Sequence, residues 1–516
     1  MLQFQFEFVT SLLLLIILPT FFYFFKTCFT SATSKKKKSS SSPSSSAIKF
    51  PRSYPVLGSL FAISANLERM NQWTTELLQN TSENGNIILD LPFGRRILVT
   101  TNPAIVQHIL KTQFHIYNKG IFVRDTLQNF LGTGIFNADD DNWKSQRQIS
   151  SHEFNTKSIR KFVETVVEDE LSDRLLPLLS SANPNRSLLD LQDILQRFAF
   201  DNICKISFGY DPKSLSPSIP QLETKFAVAF EDAIRLSCQR FYSLTWRLKR
   251  AFDIGSEKQL RVAISTVRDF ATKIVREKKL QLEEENSSPE TEDLLSRFLS
   301  SGHTDENFVT DMVISFILAG RDTTSAALTW FFWLVSQHSN VEDEILKEIR
   351  EKPQILDYDD VKNMAYIHAS LCETMRLYPP VPSDSKNAAA DDVLPDGTIV
   401  EKGMIVQYHP YAMGRTESLW GKDWAEFRPE RWLEKETSTG KWRFVGRDPY
   451  TYPVFNAGPR ICLGKDMAFL QMKKLVARVM QRYRVVPASE KGFEPIFISD
   501  MASKMKGGFP VRIEER

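Results

Sequence analysis

The 516-residue chain predicts a mostly helical fold with small β-sheets: one large domain behind an N-terminal apolar segment. Three observations predict it. Residues 157–285 read as mainly helical, with Leu188, Leu191, Leu195 and Phe198 recurring at core spacing. Between Met312 and Gln337 the only Asp, Glu, Lys or Arg residues are Arg321 and Asp322, and a helix apolar all round is buried in a large protein. Strand signals are short: Ile87 to Leu91 and Arg96 to Thr100 flank Pro92-Phe93-Gly94.

Composition excludes several classes. Charge is balanced, 65 basic against 63 acidic residues for a net of +2, and no basic stripe is interleaved with aromatics, so no nucleic-acid partner is expected. Cys28, Cys204, Cys238, Cys372 and Cys462 form no CxxC pair and no disulfide framework, which fits a reducing compartment. The seven histidines lack spacing such as HExxH, so no zinc site is expected. The 37 phenylalanines suit a large apolar core or an apolar substrate.

Residues 8–25 carry no charge and are long enough for a transmembrane helix. Glu7 precedes the run, and Lys26 and Lys35 to Lys38 follow it, the reverse of a cleaved signal peptide. The positive-inside rule puts the lysine side in the cytosol. The division expected is an anchor at 1–30, a Lys/Ser-rich linker at 31–50 containing Ser39 to Ser46, and the main domain at 51–516. Prolines 51 and 55 with Gly58 stiffen the exit from the linker.

A helix-like segment follows from Pro103 to Lys111, and residues 115–137 read as a glycine-punctuated apolar loop. Trp143 and Arg147, four apart, share a helical face. Glu283 to Asp293 reads as an exposed acidic loop. In Ala319-Gly320-Arg321-Asp322-Thr323-Thr324, buried charges need partners and mark function. Gly320 costs about 1 kcal/mol of helix propensity relative to Ala, and a flat ligand against that face would explain it. Glu373 and Arg376 sit i, i+3 on one face, and Arg428-Pro429-Glu430-Arg431 follows. Tyr378 to Lys386 is a proline-stiffened turn into strands, and Asp391 to Thr398 a hairpin. Near the end, Phe455-Asn456-Ala457-Gly458-Pro459-Arg460-Ile461-Cys462-Leu463-Gly464 precedes a helix-like run from Lys465 to Arg484. Its glycines permit tight turns and close approach, so such a loop can hold a thiolate against a flat cofactor.

Phe455, Gly458, Arg460, Cys462 and Gly464 fill all five defining positions of a motif that resembles the haem-binding signature of cytochrome P-450 monooxygenases. The resemblance covers the chain from about residue 50 to the end, and implies the P-450 fold in a single catalytic domain. It implies haem b ligated by the Cys462 thiolate, which makes Cys462 the axial ligand to the iron. It also implies that Trp143 and Arg147 bind a haem propionate, that Lys386 stands where many members carry a propionate-binding cation, and that Glu373, Arg376 and Arg431 form a buried ionic network. Thr323 would hydrogen-bond dioxygen and Asp322 would belong to the proton relay. By the same resemblance, the 115–137 segment covers the substrate, Phe226, Phe230 and Phe241 lie on substrate-channel helices, and Phe497 to Ala502 supply a further substrate contact.

The motif around Arg321, the stretches Pro382 to Lys386 and Asp391 to Thr398, and Tyr411-Ala412-Met413-Gly414-Arg415 look like the plant fatty-acid hydroxylase clan. Gly134 to Asp139 and Ser151-His152-Glu153-Phe154 look like plant family 94 within it. The reaction implied is omega-hydroxylation of a fatty acid, with NADPH electrons arriving through NADPH–cytochrome P-450 reductase. O2 and membrane lipid are the other partners implied, and the location is the endoplasmic reticulum membrane, single-pass, with the catalytic domain cytosolic. Oxidation of jasmonoyl-isoleucine is the alternative within the same chemistry. A hydroperoxide isomerase or dehydratase is disfavoured by the intact Asp322-Thr323 pair. A non-catalytic haem carrier leaves the buried Arg321-Asp322 pair unexplained.

Overall fold

The computed structural model describes residues 50–516, apart from 82–83, 152–153, 155, 183–186, 217–220, 285–292, 303–304, 438–439 and 491. The expected anchor, the Lys/Ser-rich linker up to residue 49, Cys28, His152-Glu153 and most of the 283–293 loop lie outside the described residues. Among those described, no helix is long and apolar enough to cross a membrane.

The fold is built on the helix Glu306–Gln337. Asp305 starts it by accepting a hydrogen bond from the Asn307 N–H, satisfying an otherwise orphaned donor. From Val309 to Val335 every residue is buried except Ala319, Gly320 and Thr323. These sit at i, i+1 and i+4, so one narrow face is open at mid-helix. The helix Leu191–Phe208 packs across it. Asp190 caps that helix through the Gln192 and Asp193 N–H groups, which places Leu188 outside it. Leu191, Leu195 and Phe198 are therefore core, while Leu188 is 60% exposed. At the crossing, a Cβ on Gly320 would lie 2.5 Å from Ile203. Gly320 therefore lets two helices meet, a reason for the glycine that local pattern does not show.

Two further expectations change. Within 115–137 the chain forms a helix, Gly120–Leu131, because no Gly or Pro interrupts residues 121–131. Phe226 and Phe230 are core rather than channel residues. Phe226 stacks on Phe270 at 4.1 Å and on Phe200 at 5.3 Å, and Phe230 meets Phe130 at 5.5 Å. Aromatic packing of this kind adds to simple area burial.

The largest sheet has five strands, in the spatial order Asn86–Asp90, Arg96–Thr100, Ile405–Tyr408, Asp384–Ala388, Tyr117–Asn118. Its register sets Leu98 beside Val406 and Val406 beside Lys386. The remaining sheets have two or three strands each. One is the hairpin of Phe497–Ser499 and Ser503–Met505, which packs against the central helix.

Glu373, fully buried on the helix Ala365–Leu377, holds the neighbouring core together. Its carboxylate accepts from Arg376 Nε and Nη2, both at 2.8 Å, from Arg431 Nε at 3.1 Å, from Trp432 Nε1 at 2.9 Å and from the Arg428 N–H at 3.0 Å. Arg376 also donates to the carbonyls of Gly414, Trp424 and Glu426. Removing one partner of a buried ionic group leaves charge uncompensated, so Glu373→Ala is expected to destabilise the fold by about 3–5 kcal/mol. Glu373→Gln, which keeps an acceptor, should lose less. Denaturant titration of both variants checks this, and equal losses would point to packing rather than charge.

Candidate functional site

The loop before Lys465–Arg482 is shaped by its backbone. Gly458 has φ +64, and a Cβ there would lie 2.0 Å from the Leu110 carbonyl oxygen, so only glycine fits. The Cys462 N–H donates to the Phe455 carbonyl at 2.8 Å and closes the loop. Phe455 packs on Phe469 at 5.1 Å. Gly464 then caps the helix. A Cβ on Gly464 would meet Phe154 at an ordinary 3.5 Å, so the protein atoms alone do not require glycine there.

Cys462 lies deep among protein atoms, yet its side chain is exposed, so it faces internal space. Burial pushes its thiol pKa up. The Gly464 N–H, Arg147 and Lys465 pull it back down, and the helix start behind it favours a thiolate. Cys204, Cys238 and Cys372 have thiols raised by burial, and Cys204 and Cys372 are enclosed in the core.

Cations gather beside this loop. Arg460 pairs with Asp139 at 2.6 Å, donates to the Ala138 carbonyl, and lies over the Trp143 ring at 4.5 Å. Trp143 is buried, with Arg147 at 5.8 Å from its ring. Arg147 has no carboxylate partner among the described residues; burial lowers its pKa, and of the two charges near it Cys462 raises it and Arg460 lowers it. Lys386 is buried and pairs with Asp384 at 2.6 Å. Burial brings its ammonium down to about 7. Lys119 reaches the same carboxylate at 3.5 Å. Lys119, Arg147, Lys386 and Arg460 thus outnumber the half-buried Asp139 and Asp384, leaving positive charge for an acidic ligand.

On the central helix, the Thr323 hydroxyl donates to the Ala319 carbonyl at 2.6 Å and lies on the open face. Asp322 is buried behind it, and neither carboxylate oxygen has a hydrogen-bond partner among the described residues. Arg321 Nη1 approaches Asp322 Oδ1 at 3.2 Å, a contact without hydrogen-bond geometry. Burial pushes the Asp322 carboxyl up to about 6. Arg321 Nη2 donates to Glu231 at 2.6 Å, and Glu231 also pairs with Lys504. Sequence reasoning singled out Arg321 and Asp322 but missed Glu231 and Lys504. Glu231 lies 90 residues away on an amphipathic helix, where a glutamate carries no local signal. Phe497, grouped with the substrate contacts from sequence, is buried against Trp330, Tyr378 and Tyr411.

The arrangement suits a flat, acid-bearing ligand that accepts a thiolate. The family model described as "Cytochrome P450" matches residues 48–511. The chain belongs to the cytochrome P450 family. It is 60% identical over 471 residues to "Cytochrome P450 94A2" of Vicia sativa, covering 90% of this chain and 91% of that one. Identity is 58% over 475 residues with "Cytochrome P450 94A1" of Vicia sativa, covering 92% of each. With "Cytochrome P450 94B1" of Arabidopsis thaliana it is 47% over 470 residues, covering 90% and 91%. These likenesses place the chain in plant family 94 of the P450s. P450s carry haem on a cysteine thiolate, use oxygen and draw on a redox partner. The residues present fit that cofactor: an inward-open Cys462, an unpaired Arg147 beside it, and a central helix open only at Ala319, Gly320 and Thr323.

Proposed function

We propose that this P450 hydroxylates the terminal carbon of medium- and long-chain fatty acids, with NADPH electrons delivered by a separate reductase. Haem b, when bound, supplies the activation of oxygen. Cys462 would hold its iron, with Phe455, Gly458 and Gly464 shaping the loop. Arg147, Arg460 and Lys386, stiffened by Trp143, would hold its acidic groups.

Oxygenase chemistry is supported above all by one arrangement: Thr323 on the open face of the helix, preceded by the buried Asp322, whose carboxyl has no hydrogen-bond partner among the described residues. Raised to about 6, Asp322 takes and returns a proton near neutral pH. The Thr323 hydroxyl stands on the open face as the group that would meet oxygen there. Arg321 tethers Asp322 and is itself held by Glu231. The fatty-acid reading rests on the motifs shared with the plant fatty-acid hydroxylase clan, and on relatives of the same family at 60% and 58% identity. A terminal C–H bond is stronger than internal ones, so selectivity must come from geometry that presents only the chain end. The apolar run at 8–25, with lysines behind it, supports a single-pass anchor in the endoplasmic reticulum and a catalytic domain in the cytosol.

Product regiochemistry tests the reading. The full chain, in microsomes with reductase and NADPH, is offered labelled saturated and unsaturated fatty acids beside jasmonoyl-isoleucine. Terminal hydroxylation of a fatty acid, lost without NADPH, is the expected result. Turnover of the conjugate alone would overturn the substrate and keep the chemistry.

A further inference from the structure

A cavity of about 450 Å³ lies between the end of the central helix Glu306–Gln337, the start of the helix Ser339–Arg350, the end of Ala365–Leu377 and the segment 424–430. Its lining residue Leu334 stands about three turns beyond Thr323, roughly 16 Å along the helix at about 1.5 Å per residue. The cavity is therefore apart from the open face at Ala319, Gly320 and Thr323. Its volume falls within the roughly 300–1,000 Å³ usual for small-molecule sites. The buried Leu334, Leu377 and Phe427 make its floor, and the exposed Asn340, Ala425 and Glu426 its mouth.

One cation in its wall is unmatched. Arg415 donates through Nη1 to the Leu377 and Tyr411 carbonyls, which closes the end of the helix Ala365–Leu377. Its Nε and Nη2 carry no hydrogen bond among the described residues, and no carboxylate of those residues lies within ion-pair distance. The guanidinium sits 3.6 Å from the centre of the Tyr411 ring and 5.4 Å from that of Tyr378. Burial lowers its pKa, and the nearby Arg376 is a like charge. A guanidinium taken out of water without an acid is unfavourable until an anion arrives, and the tyrosine rings offset only part of that. The other charged lining residues are engaged or wet. Glu430 accepts from the Tyr366 hydroxyl at 2.6 Å, Arg428 pairs with Asp423 at 2.5 Å, and Glu426 is exposed.

The chemistry of the wall selects the ligand. With Nη1 held by carbonyls, the free edge of Arg415 is Nε and Nη2, two parallel donors that match a carboxylate's two oxygens. Tyr378, Trp424, Phe427 and His338 add four rings to the lining, and such rings favour a flat apolar body. The rings are held in place. Tyr378 stacks on Trp330 at 4.0 Å with the planes 1° apart, and Phe427 meets His338 at 5.1 Å. The backbone is fixed as well, because the Trp424 and Glu426 carbonyls accept from Arg376, the partner of Glu373. The cavity is thus built before any ligand arrives.

We propose that this cavity is a second ligand site, separate from the oxygenase centre, for a small aromatic carboxylate. The acid group pairs with Nε and Nη2 of Arg415, and the ring lies among Tyr378, Trp424 and Phe427.

The test is equilibrium dialysis of the full-length holoenzyme in lipid nanodiscs, with the uptake of empty nanodiscs subtracted. The probes are labelled naphthalene-2-carboxylate and its uncharged amide. Charge-assisted, bidentate pairing should make the acid bind about tenfold or more tighter than the amide. The haem absorption spectrum should stay constant along the binding curve. Arg415→Gln should remove the preference for acid over amide. Because Arg415 also closes a helix end, a second variant is needed in case the first fails to fold. Ala425→Trp fills the exposed mouth, leaves the cation in place and should abolish saturable binding of both probes. Acid binding that survives Ala425→Trp overturns the proposal, since the probe then sits elsewhere. A preference for acid that a folded Arg415→Gln retains overturns it too. So does wild-type enzyme that binds no acid saturably, or binds acid no better than amide. A haem spectrum that shifts in step with binding also overturns it, by placing the probe at the iron.

Discussion

Cys462→Ser is expected to bring NADPH-dependent turnover to background and to remove the thiolate signature from the haem spectrum, while the polypeptide still folds. Cys462 faces internal space and fills little of the core. The loop is held by backbone features that serine preserves: the Cys462 N–H on the Phe455 carbonyl, the close approach of Gly458 to Leu110, and the helix start after Gly464. What is lost is the soft, anionic sulfur that P450 chemistry requires of its axial ligand. Haem content, absorption spectrum and denaturant titration, measured together, separate the outcomes. Near-wild-type turnover would remove Cys462 from its assigned role. Loss of cooperative unfolding would show that the sulfur has a packing role that its exposure argues against.

Asp322→Asn is expected to lower kcat by about 10²–10⁴, the usual contribution of a positioned acid, with KM nearly unchanged. Asn fits the same space but carries no exchangeable acidic proton. The pH dependence follows from the raised carboxyl. Burial moves Asp322 from an ordinary 3.8 to about 6. The folded state therefore holds this proton more tightly than the unfolded state does. The stability it contributes is full below pH 4, falls as pH rises from about 4 to about 6, and is flat above that. Asp322→Asn should erase that slope and gain relative stability at neutral pH. In the wild type, a limb of the kcat profile should lie near pH 6. The groups facing Asp322 are Arg321 and Lys504, which lower its pKa, and Glu231 and Asp500, which raise it. Glu231→Gln should therefore move the limb to lower pH without abolishing activity. A limb that stays in place in Asp322→Asn would assign it to another group.

Much of this fold is written in local pattern. The Asp305 and Asp190 caps, the apolar run from Met312 to Gln337 and the hairpin around Pro92-Phe93-Gly94 each specify their element from neighbours in the chain. Where pattern misled, a contact between distant segments was responsible. Gly320 accommodates Ile203, a contact no local pattern announces; Phe226 and Phe230 suggested a channel and instead pack on Phe200, Phe270 and Phe130. Leu188 shares the core spacing yet falls before the Asp190 cap.

The candidate site divides along the same line. By itself the sequence determined the candidate residues of the site, because Cys462, Gly458, Arg460, Asp322 and Thr323 stand in short segments whose spacing sets their local geometry. Tertiary structure alone decided their partners. Arg460 with Asp139, Lys386 with Asp384, Arg321 with Glu231 and Glu231 with Lys504 are set by how helices and strands pack. Charge acts through space and not along the chain, so a buried ion's counter-ion, or the lack of one, is visible only once the fold has brought distant segments within a few ångströms.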